Sequence, residues 1–143
     1  MKFLSLLGAL FLSNTPALAD NLMFLKCQGE FASKAINLNT SDVIQENKGR
    51  HSKTYVIDKE RRMVMSRGGQ WFNAEIIDGV LSGSWKLGQG KTTKKETAFM
   101  HINPVGDYST EKNIRQGDIT MDVVADGTCE KIDADTFGAE ANQ

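Results

Sequence analysis

The stretch Trp-Phe-Asn-Ala-Glu-Ile-Ile-Asp-Gly-Val-Leu-Ser-Gly-Ser-Trp-Lys, residues 71–86, decides the fold class. Asp78 and Gly79 lie between two segments of alternating polarity. This pattern is the strongest short-range sign of a β-hairpin, because a type I′ turn needs positive φ at both central residues. With these two residues in the turn, pairing runs from Ile77 opposite Val80 outward through the quoted stretch. The sequence therefore predicts an antiparallel hairpin that is buried on one face.

The two faces of this predicted hairpin carry different side chains. The apolar face places Phe72 opposite Trp85, where both pack in a core or line a ligand cavity inside a barrel. The polar face places Trp71 beside Lys86. An exposed tryptophan indicates a contact surface, unless it covers Lys86 or lies beneath a loop over residues 37–53. Phe72 and Trp85 are thus the candidate ligand-binding residues, and Trp71 and Lys86 are the candidate interaction surface.

Short β-type segments separated by turn residues recur along the rest of the chain. The polar residues Asn37–Lys53 are predicted to form a long loop, and the residues from about 133 a flexible C-terminal tail. The pattern predicts an all-β protein, an antiparallel meander of about seven or eight strands. A small closed barrel of the lipocalin type is preferred over a two-sheet sandwich.

The two cysteines, Cys27 and Cys129, lie near the ends of the predicted domain. An even pair of cysteines in an oxidising compartment predicts a disulfide bond. Their number and spacing do not fit a redox motif or a zinc site. A bond between the first and last segments favours closure of the barrel, although a sandwich also brings its termini together.

Residues 1–19 have the pattern of a secretory signal peptide. Lys2 precedes an apolar run over residues 3–12, and Ala17-Leu18-Ala19 matches the small-x-small cleavage pattern. The run is about half the roughly 20 residues that a membrane-spanning helix needs. We expect cleavage after Ala19 and a periplasmic or secreted protein, with no stable membrane insertion after the leader is removed.

Length and charge limit the remaining classes of function. Residues 20–143 suffice for a single β domain. The full chain has 17 Lys and Arg against 18 Asp and Glu, a net charge of −1, which argues against a nucleic-acid partner. The acidic residues near the C-terminus lack calcium-loop spacing, so no metal site is predicted. His51, in the polar loop, and His101, beside apolar residues, are both expected on the surface. The sequence identifies no catalytic residue and no cofactor site.

Residues 99–108, Phe-Met-His-Ile-Asn-Pro-Val-Gly-Asp-Tyr, resemble a hairpin of small exported bacterial β proteins without assigned functions. The shared pattern is Ile-Asn-x-x-x-Gly-x-Tyr, and Pro104 stands where such proteins often have arginine. The resemblance implies a bacterial envelope protein with paired cysteines. It implies no active site and no ligand.

Together these features favour an exported, non-enzymatic β-barrel module that binds a small apolar ligand. The alternative is a protein-interaction or inhibitor module of the bacterial envelope, which uses an exposed aromatic and basic surface. An enzyme would need His51 or His101 to meet carboxylates in space.

Overall fold

A computed structural model describes residues 21–139 of the chain, and the predicted signal peptide over residues 1–19 lies outside this range. The described residues form one antiparallel, nearly closed, barrel-shaped sheet of nine strands. The all-β class and the barrel shape are confirmed, but the sheet is nearly closed where a closed barrel was expected, and it has nine strands in place of seven or eight. The elements are β1 (Leu22–Asn37), β2 (Val43–Asp58), β3 (Met63–Ser66), β4 (Phe72–Asn73), β5 (Glu75–Ile77), β6 (Val80–Gln89), β7 (Thr92–Ile102), β8 (Val105–Gln116), β9 (Ile119–Ile132) and a short helix α1 (Ala134–Ala139).

The extra strand arises because one predicted strand divides in two. The sheet order is β4-β3-β2-β1-β9-β8-β7-β6-β5, so its two ends are β4 and β5, which are separated in the chain only by Ala74. The Ala74 N–H donates to the carbonyl of Arg62 at 2.8 Å. A single segment therefore joins β3 on one side to β6 on the other and nearly closes the barrel.

The first and last strands lie side by side, as the cysteine positions predicted. Cys27 of β1 is the direct register partner of Cys129 of β9, and the two form a disulfide bond. Two residues further on, Gly29 pairs with Gly127, and an added Cβ at either position overlaps backbone atoms of the opposite strand. Glycine is required at both positions because the two backbones approach so closely.

The core fills the end of the barrel where the short strands complete the wall. It consists of alternate, inward-facing residues of the strands, as the two-residue period of a β-strand requires. Complete burial of a large aliphatic side chain contributes roughly 1.5–3 kcal/mol. The buried cluster comprises Met23, Leu25, Cys27, Tyr55, Ile57, Val64, Leu81, Ala98, Met100, Ile102 and Tyr108.

The predicted hairpin register is correct near the turn and wrong further out. Ile77 pairs with Val80, and Asp78 and Gly79 both have positive φ, of 51° and 77°. Pairing between β5 and β6 ends at Glu75, because the chain then turns to pair with β3. Propensity and polarity favour the continuous hairpin, whereas closing the barrel requires the break.

The prediction of a long loop over Asn37–Lys53 is wrong. A short turn after β1 leads directly into β2 at Val43, and the Asn37 N–H donates to the carbonyl of Asp42 at 2.9 Å. The first half of β2 is polar because most of its side chains are exposed on both faces. It forms a strand through its backbone ladder with β1, which side-chain polarity does not reveal.

The helix α1 follows the last strand. Asp133 precedes it, and its carboxylate accepts a hydrogen bond from the Thr136 N–H at 2.6 Å. Hydrogen bonds from the Thr136 side chain and then from its backbone lower the pKa of Asp133. The ring of Phe137 packs on Phe24 of β1, with 5.1 Å between centroids. Within residues 21–139, none of the helices has the length and apolar character needed to cross a bilayer.

Candidate binding site inside the barrel

The barrel wall is incomplete along one side. β2 pairs with β3 only over Tyr55–Asp58, and β6 pairs with β5 only over Val80–Ser82. Both strands continue beyond these pairs toward the hairpin tips, and within residues 21–139 no strand fills the space between them. We call the part of the barrel from Lys53 and Trp85 to the hairpin tips the open half. Its inner face can be reached from the side.

Apolar side chains line part of the inner face of the open half. Ile114 of β8 pairs with Met121 of β9, and Val123 lies two residues from Met121 on the same face. These side chains are half-buried, whereas Val124, which points to the outer face, is 48% exposed. The apolar strip, as we call it, comprises Phe31, Ala35, Ile114, Met121 and Val123.

Polar side chains lie on the inner face beside this strip, and two of them, Tyr55 and Tyr108, also belong to the packed core. Alternate residues of β2 supply three of them, and β7 and β8 supply the others. The set includes two tyrosines, a histidine, two lysines and a glutamate. This inner polar cluster comprises His51, Lys53, Tyr55, Glu96, Tyr108 and Lys112.

His51 and Tyr108 come together across two strands. His51 pairs in register with Gly29, Gly29 with Gly127, and Gly127 with Tyr108. Because the two intervening residues have no side chain, the imidazole and phenol meet, and the Tyr108 hydroxyl hydrogen-bonds to Nε2 of His51. Burial raises the pKa of Tyr108 to about 12, and burial together with Lys53 lowers the pKa of His51. At neutral pH the pair is therefore a neutral phenol and a neutral imidazole.

An ion pair crosses the interior from β2 to β7. Lys53 Nζ lies 3.6 Å from Oε1 of Glu96, although these strands are not neighbours in the sheet. Lys112 is the direct register partner of Glu96 on the same face. Burial lowers the pKa of Lys112, and Lys53 and Lys94 lower it further, so the lysines lie close enough to repel one another.

Two polar atoms of the cluster have no hydrogen-bond partner among residues 21–139. They are Oη of Tyr55 and Nδ1 of His51. Tyr55 is only 4% exposed. Burial, followed by the charge of Glu96, raises the pKa of Tyr55, so the phenol stays protonated and can donate. Buried polar groups normally have partners, and unpaired ones cost about 1–3 kcal/mol each. The cluster thus offers hydrogen bonds that the protein does not itself use.

Phe72 and Trp85, the predicted ligand-binding pair, contact each other. Their ring centroids lie 5.2 Å apart, and Trp85 Nε1 donates to the carbonyl of Asn73 at 2.7 Å. Trp85 is the register partner of Glu96, so it borders the inner polar cluster. The indole also covers Gly83, where an added Cβ would overlap the ring. The expected contact is present, and it packs the barrel wall beside the candidate site.

Trp71 and Lys86, the predicted interaction surface, do not pair in the sheet. Trp71 precedes β4 and is 38% exposed. Lys86 instead pairs with Lys95 of β7, and both lysines are exposed.

The outer face carries a separate groove of about 690 Å³. Phe99, which is 45% exposed, lies in it, and Glu75 and Glu111 contribute carboxylates. The His101 ring packs edge-on against Phe99, with 5.5 Å between centroids. This groove lies within the range of about 300–1,000 Å³ that is typical of ligand sites.

The inner polar cluster was missed from the sequence because His51 was assigned to a loop over residues 37–53, whereas Tyr55 was placed in the β-type segment that follows. The expectation that His51 is an exposed loop residue is wrong, since it is half-buried in β2 and bonded to Tyr108. The alternation of His51, Lys53 and Tyr55 was the available signal. It places three polar side chains on one face of any strand.

The described residues 21–139 hold no group of three or more His, Cys, Asp and Glu side chains suited to a metal ion. In the same range, no carboxylate forms a hydrogen bond or ion pair with His51 or His101. Comparisons of the chain with protein-family models, with curated proteins and with solved structures found no match.

Proposed function

We propose that this protein is an exported, non-enzymatic binding module of the lipocalin type, which holds a small, largely apolar ligand on the inner face of its open half. The apolar strip provides the contact surface, and the missing section of wall between β2 and β6 provides access. The packed core closes the other end of the barrel. Ligand sites are typically concave and mostly apolar, with a few convergent polar groups.

The observation that carries this proposal is the pair of unpartnered atoms beneath the apolar strip. Oη of Tyr55 and Nδ1 of His51 have no partner in the part of the chain that the structure describes, although both belong to the interior. A ligand polar group is a suitable partner for such atoms. Export is supported by the Cys27–Cys129 disulfide, which is typical of an oxidising compartment, and by the leader pattern over residues 1–19.

The experiment uses a neutral apolar dye, N-phenyl-1-naphthylamine, and two neighbouring valines. Val123 lies in the apolar strip, whereas Val124 points outward and is exposed. We expect the protein to bind the dye and to increase its fluorescence. Val123→Gln weakens this binding because it places an amide in the strip, and Val124→Gln leaves it unchanged.

Thermal unfolding of both variants shows whether the fold is preserved. Equal binding by the two variants, or the absence of any dye binding, contradicts the proposal. Val123→Thr, which changes a methyl to a hydroxyl at nearly the same volume, serves as a milder variant if Val123→Gln does not fold.

The outer groove favours a second candidate function, a protein-interaction module of the bacterial envelope. Phe99 is exposed on the outside of the barrel and Trp71 is also exposed, and aromatic side chains are enriched at interfaces. Lys86 and Lys95 extend the polar outer surface of β6 and β7 beside them.

Photocrosslinking in the native host separates the two candidates. A benzoylphenylalanine residue at position 99 or at position 123 reports on the outer groove and on the apolar strip, respectively. A protein adduct formed from position 99 but not from position 123 supports the interaction module. A small-molecule adduct formed from position 123 supports the binding module.

A further inference from the structure

Three lysines share one glutamate on the inner face of the barrel. Lys53 forms the ion pair with Glu96, and Lys112 is its register partner. Lys94 lies two residues from Glu96 on β7, so it points to the same face. The group therefore has three ammonium groups and a single carboxylate.

This excess of positive charge is held partly out of water. The pKa of Lys112 is lowered by burial and by Lys53 and Lys94, while Glu96 acts in the opposite direction. Like charges in a partly desolvated site repel more strongly than in water. A bound anion removes this repulsion, because it supplies the negative charge that the protein lacks here.

The two unpartnered polar atoms near the lysines, on Tyr55 and His51, can also act as hydrogen-bond donors to an anion. Tyr55 lies two residues from Lys53 on the same face, and its ring lies 5.5 Å from the ammonium group. Its hydroxyl is a free donor in a residue that is 4% exposed. If Tyr108 donates to Nε2 of His51, the proton of that imidazole is on Nδ1, which is then a second free donor. Ammonium, hydroxyl and imidazole N–H groups all donate to an oxyanion.

The apolar strip lies directly beside the lysines on the inner face. Ile114 follows Lys112 on the inner face of β8, and Val123 is the register partner of Lys112 on β9. The ring of Phe31 lies beside His51, with 6.4 Å between centroids. Charged donors and apolar side chains are thus direct neighbours on the inner face, since Val123 is the register partner of Lys112 and Ile114 that of Lys94.

We propose that the ligand is an amphipathic anion, with an oxyanion headgroup bound by Lys53, Lys94 and Lys112 and an apolar body lying on the apolar strip. This inference rests on the proposed function, since it names the chemical class of ligand for the same inner face. The Tyr55 hydroxyl donates to the headgroup. Glu96 holds Lys53 in place and limits the net positive charge.

The test compares four probes with the same alkyl chain, namely dodecanoate, dodecyl phosphate, dodecanol and dodecyltrimethylammonium. Isothermal titration calorimetry with the full-length mature protein is carried out below the concentrations at which the probes form micelles. We expect dodecanoate or dodecyl phosphate to bind about tenfold more tightly than dodecanol, which corresponds to about 1.4 kcal/mol. The cationic probe binds most weakly. Comparison of the two anions distinguishes a carboxylate from a phosphate headgroup.

Neighbouring lysines of β7 provide a matched control. Lys94 points to the inner face and Lys95 to the outer face, and each substitution by glutamine removes one charge. Lys94→Gln and Lys112→Gln weaken binding of the anion severalfold and leave dodecanol binding unchanged, whereas Lys95→Gln affects neither. Thermal unfolding checks that each variant is folded.

Different outcomes of these titrations would overturn the anion inference and the proposed binding function. Equal affinities for dodecanoate, dodecyl phosphate and dodecanol overturn the anion inference and leave the apolar binding module intact. An equal effect of Lys94→Gln and Lys95→Gln on anion binding overturns the assignment of the headgroup to the inner face. If none of the four probes binds, the proposed function fails and the inference fails with it.

Discussion

His51 and Tyr108 hydrogen-bond to each other over a bare patch of backbone formed by Gly29 and Gly127. The four residues form one row across β2, β1, β9 and β8. The glycines allow β1 and β9 to approach closely, and the same lack of side chains lets the two rings meet inside the barrel. One sequence feature therefore shapes both the barrel wall and the candidate site.

Removal of the Tyr108 hydroxyl tests the energetic role of this bond. Tyr108→Phe keeps the buried ring and leaves Nε2 of His51 without its partner, so we expect a loss of about 1 kcal/mol in the free energy of unfolding. Ser109→Ala, on the outer face of the same strand, changes stability by less than about 0.5 kcal/mol. Urea unfolding at neutral pH measures both, and equal effects would contradict the interior role of Tyr108.

The lowered pKa of His51 predicts a pH dependence of stability. Burial and the charge of Lys53 lower the pKa of His51, whereas the charge of Asp126 raises it. Tyr108 is the hydrogen-bond partner of the imidazole. The unfolded chain therefore binds a proton to this imidazole at higher pH than the folded protein does. The neutral His51 imidazole makes its full contribution to the free energy of unfolding above the unfolded pKa of about 6.5. This contribution is lost as the pH falls below that value toward the folded pKa.

The expected result is a stability curve that declines on acidification more steeply in the native protein than in His51→Gln. His101→Gln, which alters the outer face, retains the steep decline. NMR titration of the His51 ring protons measures the folded pKa and so shows directly whether it is lowered. A folded pKa at or above 6.5 would show that the imidazole is not held neutral by its surroundings.

The close approach of β1 and β9 predicts an intolerance of even one methyl group. An added Cβ at Gly127 overlaps the carbonyl of Gln28, which is backbone and cannot rotate away. Gly127→Ala should cost roughly 1–3 kcal/mol or more, because the two strands must separate. Gly138→Ala in α1, where an added Cβ meets nothing within 4 Å, should be neutral or slightly stabilising. Thermal unfolding compares the two variants. Similar unfolding midpoints would contradict the predicted overlap of an added Cβ at Gly127 with the Gln28 carbonyl.

Residues that combine local turn chemistry with clear alternation were predictable. Asp78 and Gly79 specified their turn, and the pairing of Ile77 with Val80 followed from it. The cysteines indicated that the first and last strands are neighbours, as the disulfide confirms. The break at Ala74 was not predictable, because it depends on the distant partner β3 and no local residue signals it.

The site was less predictable than the fold. Polar residues in β2 resemble a loop when their burial is unknown, although backbone pairing with β1 makes them a strand. The inner polar cluster also needs long-range register, since Glu96 and Lys53 come from strands that are not adjacent. Alternation indicates which side chains share a face of one strand. Which distant side chains face them depends on how the sheet closes.

The packing of Trp85 predicts that the two tryptophans differ sharply in energetic importance. Trp85 contacts Phe72, covers Gly83 and donates to Asn73. A fully buried tryptophan costs about 3–5 kcal/mol on truncation to alanine, so the half-buried Trp85→Ala should cost roughly 2–3 kcal/mol. Trp71→Ala should cost less than Trp85→Ala, because Trp71 is 38% exposed. Unfolding of both variants in guanidinium measures the loss in the free energy of unfolding. A larger loss from Trp71→Ala than from Trp85→Ala would contradict the packing described for Trp85.

The disulfide should make the largest single contribution to stability, because it closes most of the chain into one loop. Cys27 and Cys129 are 102 residues apart, and a loop of this length stabilises by about 4–5 kcal/mol in the chain-entropy model. The double variant Cys27→Ala/Cys129→Ala should lose a comparable free energy of unfolding in urea. Its native fold, if retained, should still show the His51 and Tyr108 contact by NMR, since the β1–β9 ladder continues beyond the cysteines. A loss below about 1 kcal/mol would contradict this expectation and would indicate that the unfolded chain without the disulfide retains structure that keeps its first and last segments close.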